Sequence, residues 1–248
     1  MKLGRQAPRR DARTLRLARY LDRSVLPPAP PVLDLGAGAM SWPMLGNDRA
    51  GDCTFAAAGH MVELWTDRAT GAPAEVRTAD ILQAYSEVSG YDPTTGADDV
   101  GAVELDVLNY WRTKGIAGHK IEAFTAVDYL DLDLLRIATA LFGGLYVGLS
   151  LPKCAQGADT WILEDARLRG DAAPGSWGGH AVNVVGYDAQ GMVVVTWGRL
   201  QKMSWAFWFA YGEEAFALLS PDWLTSRGVS PGGLDITALR ADLASVTM

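Results

Sequence analysis

The sequence predicts an α+β protein in which a mainly helical half is followed by a mainly β half. Up to about residue 142, apolar side chains recur at helical spacing in four segments. Beyond that point, short runs rich in Val and aromatic residues are bounded by Gly, Pro and Asp, as strands are. Because helices and strands form successive groups and do not alternate, an α+β architecture is favoured over a parallel α/β sheet.

The chain is long enough for one well-buried domain. It has 248 residues, of which 49% are hydrophobic and 21% charged, a composition typical of packed globular proteins. We expect that domain over residues 31–248, with a helical lobe at about 41–142 and a β lobe at about 143–224. The segment "SPGGLDITALRADLASV" predicts a C-terminal helix at about 232–246.

Four helices and four strands are predicted within the two lobes. Asp52 is the candidate N-cap of the first helix, which ends near Gly71, and the fourth helix runs from Asp128 to Phe142. The second helix is "TADILQAYSEVSG" and the third is "VGAVELDVLNYWRTKG". The predicted strands are "GLYVGLSLP", "GHAVNVVGYD", "GMVVVTWG" and "MSWAFWFAY".

A basic arm precedes the domain. Residues 1–23 hold eight Lys or Arg against two Asp, although the whole chain has a net charge of -7. We expect residues 1–30 to form a short helix, "DARTLRLARYLDR", followed by a Pro-rich linker. The arm is expected to dock as a surface helix or to contact an acidic partner. Nucleic acid is disfavoured because no aromatic residues are interleaved with the charges.

Composition also argues against several classes of protein. No run approaches the roughly 18 apolar residues of a membrane span, and the basic start lacks the apolar stretch of a signal peptide. We therefore expect a cytoplasmic protein that does not contact membranes, with association with a virus particle as the alternative. The two cysteines, Cys53 and Cys154, and three histidines show no metal-ligand spacing, so neither a disulfide framework, a metal nor a cofactor is predicted.

Cys53 is the candidate nucleophile. It lies at the start of a predicted helix, after the Gly-containing turn "GNDRAGDC", where backbone N–H groups and the helix dipole favour a thiolate. A thiolate also needs an imidazole that takes its proton and later donates it to the leaving group. His180 is the best candidate because it opens a predicted strand after the turn "PGSWGG", whereas His60 lies about 10 Å along the helix from Cys53.

Two segments resemble the papain-like cysteine peptidases. "GNDRAGDCTFAAAGHMVELW" is similar to their nucleophile helix, and "GGHAVNVVGYDAQGMVVVTWG" is similar to their His strand and Trp-Gly turn. With "LDVLNYWRTKGI" and "IATALFGGLYVGLSLP" between them, the resemblance covers roughly residues 41–224 and is that of a divergent bacterial or phage-type member. It implies a papain-like two-lobed fold with an antiparallel β lobe, Cys53 as nucleophile and His180 as general base.

The resemblance also implies supporting residues, two of which depart from the family pattern. The oxyanion-hole Gln of the family corresponds to Asn47, which is one methylene shorter. The Asn that orients the His corresponds to Thr196 or to Val195, depending on the alignment, and only Thr196 has a hydroxyl for the imidazole. Trp197 would shield that bond from water. Asp52, next to the nucleophile, is expected to raise the pKa of the thiol.

These expectations lead to one function and its alternatives. The resemblance implies a peptidase or amidase that cleaves a peptide, isopeptide or other amide bond through a Cys53 thioester. The departures favour a weak or inactive module with a binding or assembly role, for example in a phage particle. A transamidase would use the same Cys and His, and the arm would act as a propeptide if it covered the cleft.

Overall fold

The structure, a computed structural model, describes residues 1–21, 28–38 and 41–224. The described part contains five α-helices and eight β-strands. The helix predicted at about 232–246 and the start of the predicted Pro-rich linker, residues 24–27, lie outside the described residues. No helix in the described ranges combines the length and hydrophobicity needed to cross a membrane.

The four helices predicted in the first half are present. They are α1 (Cys53–Thr70), α2 (Thr78–Ser89), α3 (Glu104–Thr113) and α4 (Leu132–Phe142). Gly71 and Gly90 end α1 and α2 in the left-handed conformation, as C-terminal glycines do. Helix α4 begins four residues later than predicted because Asp131, and not Asp128, caps it by accepting a hydrogen bond from the N–H of Leu134.

Eight strands form one sheet. They are β1 (Leu33–Asp34), β2 (Ala123–Ala126), β3 (Leu145–Leu151), β4 (Thr160–Trp161), β5 (Gly178–Tyr187), β6 (Gly191–Thr196), β7 (Arg199–Ser204) and β8 (Gly212–Leu219). Their order is β2-β8-β3-β5-β6-β7-β4, with β1 paired to β5. All pairs are antiparallel except β4 with β7. The mixed α+β fold with a large antiparallel sheet is therefore confirmed.

The prediction of a strand over "MSWAFWFAY" was wrong for its aromatic part. Residues Trp205–Tyr211 form a helix, α5, after β7 ends at Ser204. The Ser204 side chain caps α5 by accepting a hydrogen bond from the N–H of Phe207. The buried aromatic residues follow the helical period, whereas Phe209 is exposed.

The helix predicted in the basic arm was also wrong. Within "DARTLRLARYLDR" the described residues contain only a 3₁₀ turn over Leu17–Arg19. The Ala126 N–H donates to the carbonyl of Leu15, and Arg16 pairs with Ala126 as an isolated bridge. This pairing along the edge of β2, together with burial of Leu17, holds the backbone extended.

Two apolar cores flank the sheet and fix the start of α1 against it. One core contains the inner faces of α1, α2 and α3, and the other lies between the sheet and helices α4 and α5. Tyr146, in β3, is fully buried and donates from its hydroxyl to the carbonyl of Thr54. The first turn of α1 is therefore tied to the centre of the sheet.

Candidate active site

Cys53 is the first residue of α1 and is buried, with 1% of its surface exposed. Burial raises the pKa of its thiol to about 12, while backbone hydrogen bonds from Ala181 and Gly4 oppose that rise. Ala181 follows His180 in β5, so the sulfur lies against the strand that carries the predicted base. In this arrangement Cys53 is a neutral thiol at pH 7.

His180 is the third residue of β5 and is equally buried. Its Nε2 atom lies 2.6 Å from Oγ1 of Thr196, and its ring stacks on Trp197 with 4.3 Å between ring centroids. Its Nδ1 atom has no hydrogen-bond partner among the described residues. Burial, and then the charge of Arg5, lower the pKa of His180 to about 3. The imidazole is therefore neutral, and its Nδ1 atom can accept a proton while Nε2 is held.

Of the two residues that alignment left open, Thr196 contacts His180 and Val195 does not. Thr196 ends β6, whereas Val195 points the other way, into a small apolar cluster with Leu64 and Val185. The alternation of side chains along a strand accounts for this difference. Thr196 is thus the residue placed to orient the imidazole.

Asn47 is buried near the start of α1, but its amide is already used. Its Nδ2 atom donates to the carbonyl of Ala50 and to Oδ1 of Asp52, each at 3.1 Å. The carbonyl of Asn47 accepts from the N–H of Lys2. The amide would have to exchange one of these bonds before it could donate to a substrate oxygen, and its oxyanion role stays a prediction.

Asp52 occupies the N-cap position of α1, as predicted, but its side chain makes no capping hydrogen bond. The carboxyl turns instead toward Asn47, and its Oδ2 atom has no hydrogen-bond partner in the described part of the chain. Burial raises the pKa of Asp52 to about 8, against the opposing effect of the Asn47 hydrogen bond. A carboxyl that holds its proton near neutral pH repels a neighbouring thiolate less than an ionised one does.

The raised pKa of Asp52 predicts that stability falls as the pH rises from about 4 to about 8. Between its ordinary pKa of 3.8 and about 8, the folded protein holds a proton that the unfolded chain releases. Stability therefore falls as the pH rises through that window, by up to about 1.4 kcal/mol per pH unit for this group. The lowered pKa values of His60 and His180 act in the opposite direction, but only below about pH 6.5.

We expect Asp52→Asn to flatten the decline in unfolding free energy between pH 6.5 and 8, as measured by urea denaturation. Glu63, whose pKa burial also raises to about 8, titrates in both proteins and leaves part of the slope. Asp159→Asn, at an exposed carboxylate, is the matched control and should keep the original slope. An equal slope in the Asp52 variant would show that its carboxyl is ionised in the folded protein.

The start of the basic arm lies across this site. The Arg5 N–H donates to the carbonyl of Gly179, the residue before His180, at 3.2 Å. On the other side, the Ala102 N–H donates to the carbonyl of Gly4 and the Ala102 carbonyl accepts from the N–H of Gln6. Arg5 and Ala102 therefore pair as parallel strands, and the arm bridges the two lobes.

Glycines allow the arm to lie this close. A Cβ atom on Gly4 would come within 1.7 Å of the carbonyl oxygen of Gly51, and one on Gly101 within 1.8 Å of the Gly4 oxygen. A Cβ atom on Gly179 would meet the Arg5 oxygen at 2.2 Å. The indole N–H of Trp197, on which the His180 ring stacks, donates to the carbonyl of Lys2 at 3.0 Å. Residues 2–6 are thus fitted to the site by main-chain contact.

The Arg5 side chain enters a buried acidic pocket that sequence reasoning missed. Its partners are carboxylates far away in the chain, Glu104, Glu213 and Glu214. No local pattern marks such a pocket, and the arm's charge was interpreted as solvated or as directed to another molecule. The described residues contain no group of three or more His, Cys, Asp or Glu side chains arranged to hold a metal ion.

A helical lobe, an antiparallel β lobe, and a cysteine at a helix start against a histidine strand together define a papain-like fold. Solved structures of cysteine proteases share it. Xylellain from Xylella fastidiosa has a TM-score of 0.65 and 16% identity, with 88% of this chain and 96% of that chain covered. Digestive procathepsin L 3 from Tenebrio molitor has a TM-score of 0.62 and 15% identity, with 87% and 75% covered.

A third structure with this fold is the proform of Amb a 11, a cysteine protease of ragweed pollen. Its TM-score is 0.55 at 14% identity, with 79% of this chain and 68% of that chain covered. At these identities the likeness concerns the fold. No protein-family model matches the sequence, and no curated protein matches it.

Proposed function

We propose that this protein is a cysteine-dependent hydrolase that cleaves a peptide, isopeptide or other amide bond through a Cys53 thioester. One observation carries the proposal. The Cys53 sulfur at the start of α1 lies against the backbone of Ala181, the residue that follows His180, and His180 is itself in contact with Thr196 and Trp197. Nucleophile, base and orienting group are the components that acyl transfer requires.

The reaction proceeds in two stages with His180 carrying the proton. His180 takes the thiol proton, the Cys53 sulfur bonds to the carbonyl carbon, and the C–N bond breaks as the imidazolium protonates the departing amine. Water then attacks the thioester, with His180 as base, and the carboxylic acid leaves with the thiol restored. The backbone N–H of Cys53, and Asn47 if its amide turns, would donate to the oxyanion, and one such donor contributes about 3 kcal/mol.

The proposed enzyme is latent while the arm lies in the site. Gly4 covers the sulfur, burial favours the neutral thiol and the neutral imidazole, and the Arg5 charge further disfavours the imidazolium. Each of these effects opposes the thiolate–imidazolium pair. Residues 2–6 must therefore leave before a substrate can bind. The proforms among the structures that share the fold are consistent with a covered site, and we carry that idea to this chain as part of the proposal.

The direct test is incubation of the protein with an unfolded protein substrate and identification of new chain ends by mass spectrometry. We expect cleavage by the wild type, faster when the arm is displaced, and none by Cys53→Ala. Cys154→Ala is the matched control, since the second cysteine is partly buried outside the site, and it should cleave as the wild type does. Cleavage that survives in Cys53→Ala would exclude the assignment.

A non-catalytic binding module is the second candidate, and the state of Asn47 favours it. Both amide hydrogens of Asn47 are directed at acceptors within the protein. If displacement of the arm left Cys53 unreactive toward iodoacetamide near pH 6, this alternative would be preferred. A transamidase would use the same residues. It would be recognised by transfer of the acyl group to an added amine such as cadaverine, which increases the mass of the product.

A further inference from the structure

The side chain of Arg5 is held by three carboxylates in a pocket beside the candidate active site. Its Nη2 atom lies 2.7 Å from Oε1 of Glu214 and its Nη1 atom 2.7 Å from Oε2 of Glu213, and Nε lies 3.2 Å from Oε1 of Glu104. The Arg5 side chain is 1% exposed. Burial alone would lower the pKa of Arg5, but the charges of Glu104 and Glu214 raise that pKa above its ordinary value.

The pocket has the shape of a guanidinium. Oε1 of Glu214 accepts from both Nε and Nη2 of Arg5, a forked contact that a single ammonium group does not reproduce. A Cβ atom on Gly148, in β3, would lie 2.1 Å from Arg5 Nε. The space that the guanidinium fills thus exists because residue 148 has no side chain.

The pocket loses its cation when Arg5 leaves it, and burial raises the pKa of both Glu104 and Glu214. The Glu104 side chain is completely buried and that of Glu214 is 10% exposed. Neither carboxylate oxygen of Glu104 has a hydrogen-bond partner among the described residues, and its nearest opposite charge is Arg5. Buried carboxylates without a counter-charge are destabilised or must take up a proton. A ligand that supplies a guanidinium removes that penalty, whereas an apolar side chain leaves it.

The backbone contacts of the arm place this pocket relative to the nucleophile. Gly4 lies at the Cys53 sulfur, and the next residue, Arg5, enters the pocket. The arm is bound by main-chain groups of Ala102 and Gly179. Because every residue has the same backbone groups, these contacts would bind any extended peptide. Selection among peptides therefore falls to the side chain that enters the pocket.

We propose that the pocket formed by Glu104, Glu213 and Glu214 recognises an arginine of the substrate, next to the residue whose carbonyl Cys53 attacks. The substrates are then peptides or proteins with an arginine beside the cleaved residue, and the arm occupies the site as their mimic. The inference rests on the proposed function for the cleavage step, but recognition of arginine can be measured separately.

The cleavage experiment uses the full chain with Gly4→Val and Arg5→Ala, of which the first displaces the arm and the second keeps Arg5 out of the pocket. Peptides that are identical except for arginine, citrulline or leucine at each position in turn are digested, and the cut site is read by mass spectrometry. Citrulline keeps the shape of arginine without its charge. We expect kcat/KM to be about 30-fold higher for arginine than for citrulline at a position adjacent to the attacked residue, because hydrogen bonds to charged groups are lost. Glu214→Gln should reduce that ratio to about 3-fold or less, whereas Glu75→Gln, at a surface glutamate, should not change it.

A binding experiment separates failure of this proposal from failure of the proposed function. The peptide acetyl-Leu-Gly-Arg-Gln-amide and its citrulline analogue are titrated by calorimetry into the full chain carrying Gly4→Val, Arg5→Ala and Cys53→Ala. Selective binding of the arginine peptide without any cleavage by the active form would keep the pocket and overturn the hydrolase. Cleavage with no preference for arginine at either adjacent position would overturn the pocket and keep the hydrolase. If Arg5→Ala does not fold, Arg5→Lys is used, since its single ammonium should compete less well than the fork of a substrate arginine.

Discussion

Gly4→Val is expected to raise the rate of Cys53 alkylation by iodoacetamide at pH 7 by at least about 100-fold. At the pKa of about 12 that burial produces, only about one Cys53 in 10⁵ is a thiolate at pH 7. A side chain at residue 4 collides with the backbone oxygen of Gly51, so the arm cannot occupy its place over the sulfur. Water then reaches the thiol and the imidazole, and the charge of Arg5 moves away from His180. A thiolate–imidazolium pair between Cys53 and His180 can then form.

The measurement is the pH dependence of alkylation, followed by mass spectrometry of the peptide that contains Cys53. Ala7→Val is the matched control because it places the same valine side chain at an exposed residue of the arm, and its rate should equal that of the wild type. Thermal denaturation establishes that both variants are folded. A folded Gly4→Val protein with the wild-type alkylation rate would contradict the inference that residues 2–6 keep the site latent.

The sequence predicted the elements whose signals are local. Cys53 at the start of a helix follows from an Ala-rich helical run after a glycine-containing turn, and the strand of His180 follows from a run of Val after Gly-Gly. Both predictions are confirmed, the helix as α1 and the strand as β5. Sheet order depends on contacts between distant segments, and its outline came from the resemblance to a known fold.

The elements that were mispredicted depend on distant partners or on competing local signals. Arg5 is separated by 209 residues from Glu214, so its burial follows from tertiary structure and from no pattern around residue 5. Trp205–Tyr211 is rich in aromatic residues, which have high strand propensity. The segment nevertheless forms a helix, because Ser204 caps its start and one aromatic face packs in the core. The signal that could have identified α5 is a serine three residues before the first buried Phe, at N-cap spacing.

Thr196→Val is expected to lower kcat by about 100-fold with little change in KM, because Thr196 contacts the base and not the substrate. The substitution keeps the shape of the side chain and removes the oxygen 2.6 Å from His180 Nε2. The buried ring then loses the partner that fixes its orientation and directs the proton to Nε2, leaving Nδ1 to receive the thiol proton. The imidazolium also loses an acceptor, so the pKa of His180 should fall, and the pH at which activity reaches half its maximum on the acid side should fall with it.

The Thr196 variants are best compared in the Gly4→Val background, in which the site is accessible. Thr196→Ser, which keeps the hydroxyl, should restore most of kcat, and Thr196→Asn, which supplies a carbonyl acceptor, should equal or exceed the parent. Thr139→Val is the matched control, because Thr139 is also buried but donates to the Leu135 carbonyl within α4, away from the site. If Thr196→Val kept the parent kcat and pH profile, Thr196 would be a packing residue, and His180 would be held by its stacking on Trp197 alone. Loss of kcat in Thr196→Val with recovery in Thr196→Ser would establish that a hydroxyl serves here as the orienting group for the imidazole.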